Sequence, residues 1–119
     1  FNAVDFNRIK NNLDYLRELA IKLYDEFSIV SLGADRTPVD YFYADEINQL
    51  EENLKTVNEN SLRRSYGNAP TYVDNGNTMD FVELNRLEGA ILDLYDRLTN
   101  ELEGRRMLTW NFGMKGGDL

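Results

Sequence analysis

A threefold internal repeat is the feature that most constrains this chain. The segment from Phe1 to Leu16 recurs in altered form from Phe42 to Val57 and again from Met79 to Leu94, at offsets of 41 and 37 residues. A repeat of this length marks one supersecondary unit used several times, because such a unit cannot bury its apolar face alone. We therefore expect residues 1–119 to form a single domain, with units at 1–41, 42–78 and 79–104.

Each copy carries the apolar pattern of an amphipathic helix. Its large apolar residues follow at steps of three and four, which keeps them on one helical face. They are Phe6, Ile9, Leu13 and Leu16, then Ile47, Leu50, Leu54 and Val57, then Leu84, Leu87, Ile91 and Leu94. The pattern predicts a mainly α fold, a three-helix bundle built from three copies of a capped amphipathic helix. The helices are expected from about Ala3 to Phe27, Ala44 to Asn58 and Phe81 to Glu103.

Helix start signals occur in two of the three copies. Asn2 with Asp5, and Asp80 with Glu83, have the spacing of an N-cap and its reciprocal partner three residues later. The middle copy has Tyr43 at this position, and tyrosine cannot supply the usual side-chain acceptor. The start of the second helix is therefore the least defined.

An asparagine recurs at the same step of each copy, as Asn7, Asn48 and Asn85. It lies well round the helix from the apolar face. One interpretation is a polar first-turn residue on a solvated face, where asparagine is usually found. We favour the other, in which the amide ties each helix start to the loop that follows, because surface positions such as Lys10 and Glu51 differ among the copies.

The linkers and the tail predict a small β element. Residues 29–32 and Thr71–Val73 read as short extended pieces inside the two linkers. After Gly104, a typical helix stop, the tail 105–114 alternates so that Leu108, Trp110 and Phe112 face one way. A period of two is typical of a strand. We expect this strand-like tail to pair with a linker beside the three helices.

Gly89 falls in the middle of the third predicted helix. A glycine there costs about 1 kcal/mol relative to alanine. A close contact from another backbone or an aromatic ring would explain it, and simple tolerance is the alternative.

The composition removes most catalytic and metal chemistry. The chain has no cysteine and no histidine, which excludes disulfides, thiolate sites, imidazole catalysis and most zinc sites. Adjacent acidic pairs such as Asp25 and Glu26 diverge on a helix, and no phosphate loop, serine elbow or dinucleotide fingerprint is present. The oxygen-rich segment 74–80 invites calcium, but it fails the EF-hand pattern, and a turn plus a helix cap account for it. We predict no enzyme, no cofactor and no metal.

The charge limits the partners. With 13 basic and 21 acidic residues the net charge is −8, which opposes binding to nucleic acid or to an anionic membrane surface. No transmembrane run or charged leader is visible. Because the chain begins at Phe1 without methionine, an excised piece of a longer protein is also open.

Four aromatic residues lie outside the helical stripes: Tyr66, Tyr72, Trp110 and Phe112. The favoured interpretation is that they pack in the core of the small sheet. The rival is a partner-facing patch, since tyrosine and tryptophan are enriched at binding surfaces.

The repeated phrases resemble a known signature. Phe1–Ile9, Tyr43–Leu50 and Phe81–Glu88 are similar to an aromatic-Asn-Ala-x-Asp-Leu-Asn-Arg-Ile motif. This motif occurs in small helical structural proteins, and in modules of larger ones, encoded in tail and baseplate regions of phages and prophages of Gram-positive bacteria. The resemblance implies an association with virion structure and no catalytic residue. Tyr43 at the cap and Gln49 in place of arginine depart from the motif.

Two functions follow as hypotheses. The first is a non-catalytic structural or interaction module of a phage or prophage tail or baseplate assembly, bound to other protein subunits or to copies of itself. It would be located in the virion, or in the bacterial cytoplasm before assembly. The alternative is a small carbohydrate-binding or cell-wall-attachment module, in which Trp110, Tyr66 and Tyr72 stack on sugar rings. An enzyme that uses only carboxylates is a distant third.

Overall fold

Three helices make up the regular structure. The computed structural model describes residues 2–37, 44–73 and 79–115, with side chains as far as Arg105. The helices are α1 (Ala3–Ile21), α2 (Ala44–Glu59) and α3 (Phe81–Lys115), and each packs against the other two. The mainly α three-helix bundle predicted from the repeat is confirmed.

The core is built from the repeated apolar positions. Ile9, Leu50 and Leu87, one from each helix, are fully buried. Nearly all their stripe partners are also buried in the same cluster, with Leu84 partly buried at its edge. Burying one such side chain contributes roughly 1.5–3 kcal/mol, so the three copies hold together by covering one another's apolar faces.

The predicted caps are present where the structure describes them. At the start of α1, Asn2 Oδ1 accepts from the Asp5 N–H at 3.0 Å, and Asp5 Oδ2 accepts from the Asn2 N–H at 3.2 Å. At the start of α3, Asp80 Oδ1 accepts from the Glu83 N–H at 2.8 Å. Tyr43 lies outside the described residues.

Helix α1 ends at Ile21, so the prediction that it reaches Phe27 was wrong. The N–H groups of Leu23 and Tyr24 both donate to the Ala20 carbonyl, at 3.0 and 2.9 Å, and form a turn. Leu23 stays buried and Phe27 packs against the core. The chain therefore turns back after α1 and still buries Leu23 and, in part, Phe27, the residues that extended the apolar stripe of α1 in the sequence.

The predicted strand-like tail was also wrong. Helix α3 runs through Gly104 to Lys115, and the described part of the chain contains no strand. A single strand without a partner leaves its N–H and C=O groups unpaired, whereas a helix satisfies them within itself. The extended linker pieces offer no free edge, as described below. The side chains of Trp110 and Phe112 lie outside the described part.

Gly33, Gly67 and Gly89 differ in backbone conformation. Gly33 and Gly67 have φ angles of +80° and +82°, in the left-handed region that glycine enters at no steric cost. They let the two linkers turn. Gly89 is helical and exposed, and a Cβ built there would meet nothing within 4 Å. Tolerance therefore accounts for Gly89, and a close contact does not.

Candidate functional site

The first linker, residues 27–37 (linker 1), lies in the groove between α1 and α2. It begins where Arg17 Nε donates to the Phe27 carbonyl at 2.8 Å, and it ends at the N-terminal turn of α1, beside Asn7. Linker 1 therefore runs antiparallel to α1. Its residue Val30 bonds to Asn53 of α2, so the segment touches both helices.

Two asparagine side chains hold linker 1 by its main chain. Asn7 Nδ2 donates to the Arg36 carbonyl at 2.8 Å, and Asn7 Oδ1 accepts from the Arg36 N–H at 2.6 Å. Asn53 bonds Val30 in the same way, at 2.9 and 3.1 Å. In each case one amide satisfies both polar groups of one linker residue. We call this arrangement an asparagine clasp.

The second linker, residues 62–73 (linker 2), is held by the same device. Asn48 Nδ2 donates to the Tyr72 carbonyl at 2.9 Å and Oδ1 accepts from the Tyr72 N–H at 2.8 Å. Asn58 clasps Arg64 at 2.5 and 2.9 Å. Asn7 and Asn48 occupy the same step of the repeat, so the tie predicted for this asparagine is present in two copies. In each clasp the asparagine side-chain amide makes the two main-chain hydrogen bonds that a neighbouring β-strand would otherwise make.

The third asparagine of the set does not follow its counterparts. Asn85 is exposed, and its side-chain amide makes no hydrogen bond to any described residue. Helix α3 continues from this position to Lys115, whereas the chain turns back soon after Ile21 and Glu59. Asn85 therefore occupies the repeat position of Asn7 and Asn48, but no described segment lies against its side-chain amide.

A buried ionic group surrounds Tyr72. The buried carboxylate of Glu51 is paired with Arg86, whose Nε also lies 3.1 Å from Glu83. Burial raises the pKa of the Glu51 carboxyl, and the Arg86 charge opposes that shift. The Tyr72 hydroxyl is buried without a hydrogen-bond partner in the described residues, and burial raises its pKa to about 12. This group joins α2, linker 2 and α3.

The two described tyrosines of the predicted patch serve contacts within the chain. Tyr72 is 8% exposed, and the ring of Tyr66 packs against the core while its hydroxyl donates to Asp93 at 2.7 Å. Burial and then the hydrogen bond to Asp93 raise the pKa of Tyr66 to about 12. These contacts favour the core-packing interpretation for Tyr66 and Tyr72, although they pack in the bundle and not in a sheet, and a partner-facing role for them stays a prediction. Trp110 and Phe112 have no described side chains.

A cavity of about 550 Å³ lies between α2 and linker 2. Its walls carry both Glu51 and the cations Arg63 and Arg64, so it shows no preference for one sign of charge. Within the described residues, no group of three or more acidic side chains is placed to hold a metal ion. Most of the calcium candidate, residues 74–78, lies outside them.

A second cavity, of about 270 Å³, lies between α1 and α3, and we call it the third groove. Its walls include Tyr15 and Leu16 from α1 and Ile91, Leu92 and Tyr95 from α3. Leu92 is 60% exposed, and the rings of Tyr15 and Tyr95 are 5.9 Å apart. The linkers fill the grooves beside α2, whereas these apolar side chains face solvent. The apolar residues beside each helical stripe were the sequence signal for this groove, which our sequence reasoning missed.

None of the helices in the described part of the chain combines the length and apolar character needed to cross a membrane. Comparison of the chain with family models, with curated proteins and with solved structures finds no match.

Proposed function

We propose that this chain is a non-catalytic structural and interaction module that binds another protein subunit through the third groove. The observation that supports this is the contrast among the three grooves. Linker 1 and linker 2 cover two of them, while Tyr15, Leu92 and Tyr95 remain exposed in the third. Aromatic and aliphatic side chains grouped in a groove are typical of the centre of a protein interface.

The polar clusters support a non-catalytic role, since their groups are engaged in holding the fold. Lys10 is buried, and its Nζ donates to the Gly33 carbonyl at 2.8 Å and to Asp35 at 2.9 Å. The Lys10 and Asn11 hydrogen bonds lower the pKa of the Asp35 carboxyl. Glu51 and Asp93 are paired with arginines in a similar way. Lys10 fastens linker 1 to α1, the Glu51–Arg86 pair joins α2 to α3, and these groups do not converge on one reacting atom.

The repeated signature extends the proposal to a phage or prophage tail or baseplate assembly. Its support is the resemblance carried by Phe1–Ile9, Tyr43–Leu50 and Phe81–Glu88. On this proposal the chain resides in the virion, or in the bacterial cytoplasm before assembly. A carbohydrate-binding role gains no support, because Tyr66 and Tyr72 are turned inward and only Trp110 of that trio remains.

Co-purification with the subunits encoded beside this chain tests the proposal, with stoichiometry measured by light scattering. Leu92→Glu places a charge in the third groove and is expected to abolish the complex. Val82→Glu is the matched control, because Val82 is a 72% exposed apolar residue of α3 that does not line the groove. A chain that stays monomeric with every neighbouring subunit, or a complex that both variants leave intact, would contradict the proposal.

A further inference from the structure

Linker 1 is clasped from both helices of its groove, whereas both clasps of linker 2, Asn48 and Asn58, come from α2. The groove that holds linker 1 has one clasp on the preceding helix, Asn7, and one on the following helix, Asn53. In the repeat, Asn85 is the counterpart of Asn7 on α3. Asn12 is the counterpart of Asn53 on α1, since the two are 41 residues apart, which is the repeat offset. The third groove has α3 as its preceding helix and α1 as its following helix.

Asn12 lines the third groove, and Asn85 lies just beyond its lining residues, on the same face of α3. Asn85 is seven residues before the lining residue Leu92, and seven helical residues bring a side chain back to within about 20° of the same direction. Asn12 and Asn85 are exposed, and the side-chain amide of neither makes a hydrogen bond within the described part of the chain. Two side-chain amides without a described partner therefore lie along an open apolar groove, at the counterparts of the two positions that clasp linker 1.

We propose that the third groove binds an extended segment of a partner polypeptide, and that Asn12 and Asn85 clasp its main chain as Asn53 and Asn7 clasp linker 1. This inference rests on the proposed function and adds the chemistry of the ligand. The two clasped residues of the partner are six positions apart, like Val30 and Arg36. Neither is proline, since proline has no N–H to donate.

The comparison with linker 1 also predicts which side chains the partner segment carries. In linker 1, Ile29 and Leu32 pack against the core, so the partner is expected to place aliphatic residues over the apolar floor of the third groove. Arg36 of linker 1 is paired with Glu46. The counterpart of Glu46 on α1 is Asp5, again 41 residues earlier. Because Asp5 is already paired with Arg8 at 2.7 Å, the end of the segment beside Asn85 needs no particular charge.

A different protein fits this site better than a second copy of the chain. The extended segments of this chain that the structure describes, linkers 1 and 2, are both clasped already. A second copy would have to unfold one of them to offer it. Helix α3 continues from Asn85 to Lys115, so the described residues after Asn85 supply no linker for this groove.

A peptide with the sequence of Ser28–Thr37, capped at both ends, is the probe, because it carries both clasped residues of linker 1. It is added to the intact ¹⁵N-labelled chain. We expect the side-chain amide resonances of Asn12 and Asn85 to shift. Asn12→Ala and Asn85→Ala should each weaken binding by about tenfold, as the loss of two hydrogen bonds implies. Asn100→Ala, at an exposed asparagine of α3 outside the groove, should bind like the unaltered chain.

Main-chain recognition has its own control. The same peptide methylated on the nitrogens that correspond to Val30 and Arg36 keeps its side chains and loses the donated N–H groups, and it should also bind about tenfold more weakly. Equal binding of both peptides, or of the Asn85→Ala and Asn100→Ala variants, would overturn the inference. Self-association of the chain that Asn85→Ala abolishes would overturn it too, since the occupant would then be a second copy.

The outcome separates this inference from the proposed function. Neighbouring subunits could bind the chain, and the double variant Asn12→Ala/Asn85→Ala could leave that complex unchanged. In that case the clasp inference fails and the proposed role as an interaction module is retained. If the peptide is clasped but no subunit binds, the assembly role fails and the groove chemistry stands.

Discussion

The Asn48 side chain pairs with both main-chain polar groups of Tyr72, donating to its carbonyl at 2.9 Å and accepting from its N–H at 2.8 Å. A buried main-chain group left without a partner costs free energy comparable to a lost hydrogen bond. One helical side chain thus removes the need for a neighbouring strand. This relationship explains how linkers 1 and 2 stay extended although the part of the chain that the structure describes has no sheet.

The clasps should carry much of the stability of the linkers. Asn7→Ala and Asn48→Ala each delete two hydrogen bonds and leave a part-buried N–H and C=O unpaired, so each is expected to cost about 2 kcal/mol or more. Asn85→Ala, at the same step of the repeat but without a clasped segment, should change the free energy of unfolding by less than about 0.5 kcal/mol. Urea denaturation of the three variants measures this, and equal losses in all three would contradict the role of the clasp.

The two inward tyrosines should respond differently to loss of the hydroxyl. Tyr72→Phe removes a buried hydroxyl that has no described partner, so the free energy of unfolding should stay equal or increase. Tyr66→Phe removes the 2.7 Å hydrogen bond to Asp93 and should cost about 1 kcal/mol. Thermal and urea unfolding compare them. A larger loss for Tyr72→Phe than for Tyr66→Phe would show that the Tyr72 hydroxyl is bonded in solution.

Alkaline pH should destabilise the fold through ionisation of Tyr66 and Tyr72. Their folded pKa values are raised to about 12, above the ordinary value of about 10. Because a raised pKa means that the folded state holds its proton more tightly, this stabilisation is complete below pH 10 and is lost as the pH rises toward 12. Urea midpoints measured from pH 9 to 11.5 should fall, and the fall should be shallower in Tyr72→Phe. An identical slope in that variant would argue against the shift.

Gly89 and Gly33 offer a matched pair of substitutions. A Cβ meets nothing within 4 Å at either position, so the backbone alone decides the effect. Gly89→Ala in the helical interior should stabilise the chain by about 0.5–1 kcal/mol. Gly33→Ala, at φ +80°, should destabilise it by about 1 kcal/mol. The melting temperatures should move in opposite directions, and two shifts of the same sign would refute this account.

The repeat was sufficient to predict the helices because each element has its own complete local signal. The stripe through Ile9, Leu50 and Leu87 fixed which faces are buried, and the Asn2–Asp5 box placed the first helix start. The recurring asparagine predicted a tie to the following loop, which Asn7 and Asn48 make. The partners Arg36 and Tyr72 could not be identified from the sequence, since a main-chain contact leaves no mark on the residue type that accepts it.

Predictions failed where one pattern had two solutions. Apolar spacing continues to Phe27, yet a turn at Leu23 buries the same side chains. The alternation of Leu108, Trp110 and Phe112 is equally compatible with a helix, and α3 passes through these residues. Periodicity predicts which side chains are buried. Whether the backbone there is helical, extended or turned depends on chain reversal and on whether a strand has an edge to pair with. The third groove escaped prediction because its character depends on two helices 80 residues apart.

The spacing of the clasps along the chain has a consequence for how the molecule assembles itself. Asn7 and Arg36 are 29 positions apart and Asn48 and Tyr72 are 24, whereas Arg8 of α1 meets Glu88 of α3 across 80. Contacts between nearby positions close smaller loops at a lower entropic cost. As the chain leaves the ribosome, the first helix can fasten its own return segment before the third helix exists, and docking of α3 becomes the final step. Pulse-labelling hydrogen exchange should therefore protect the amide of Arg36 earlier than that of Leu94.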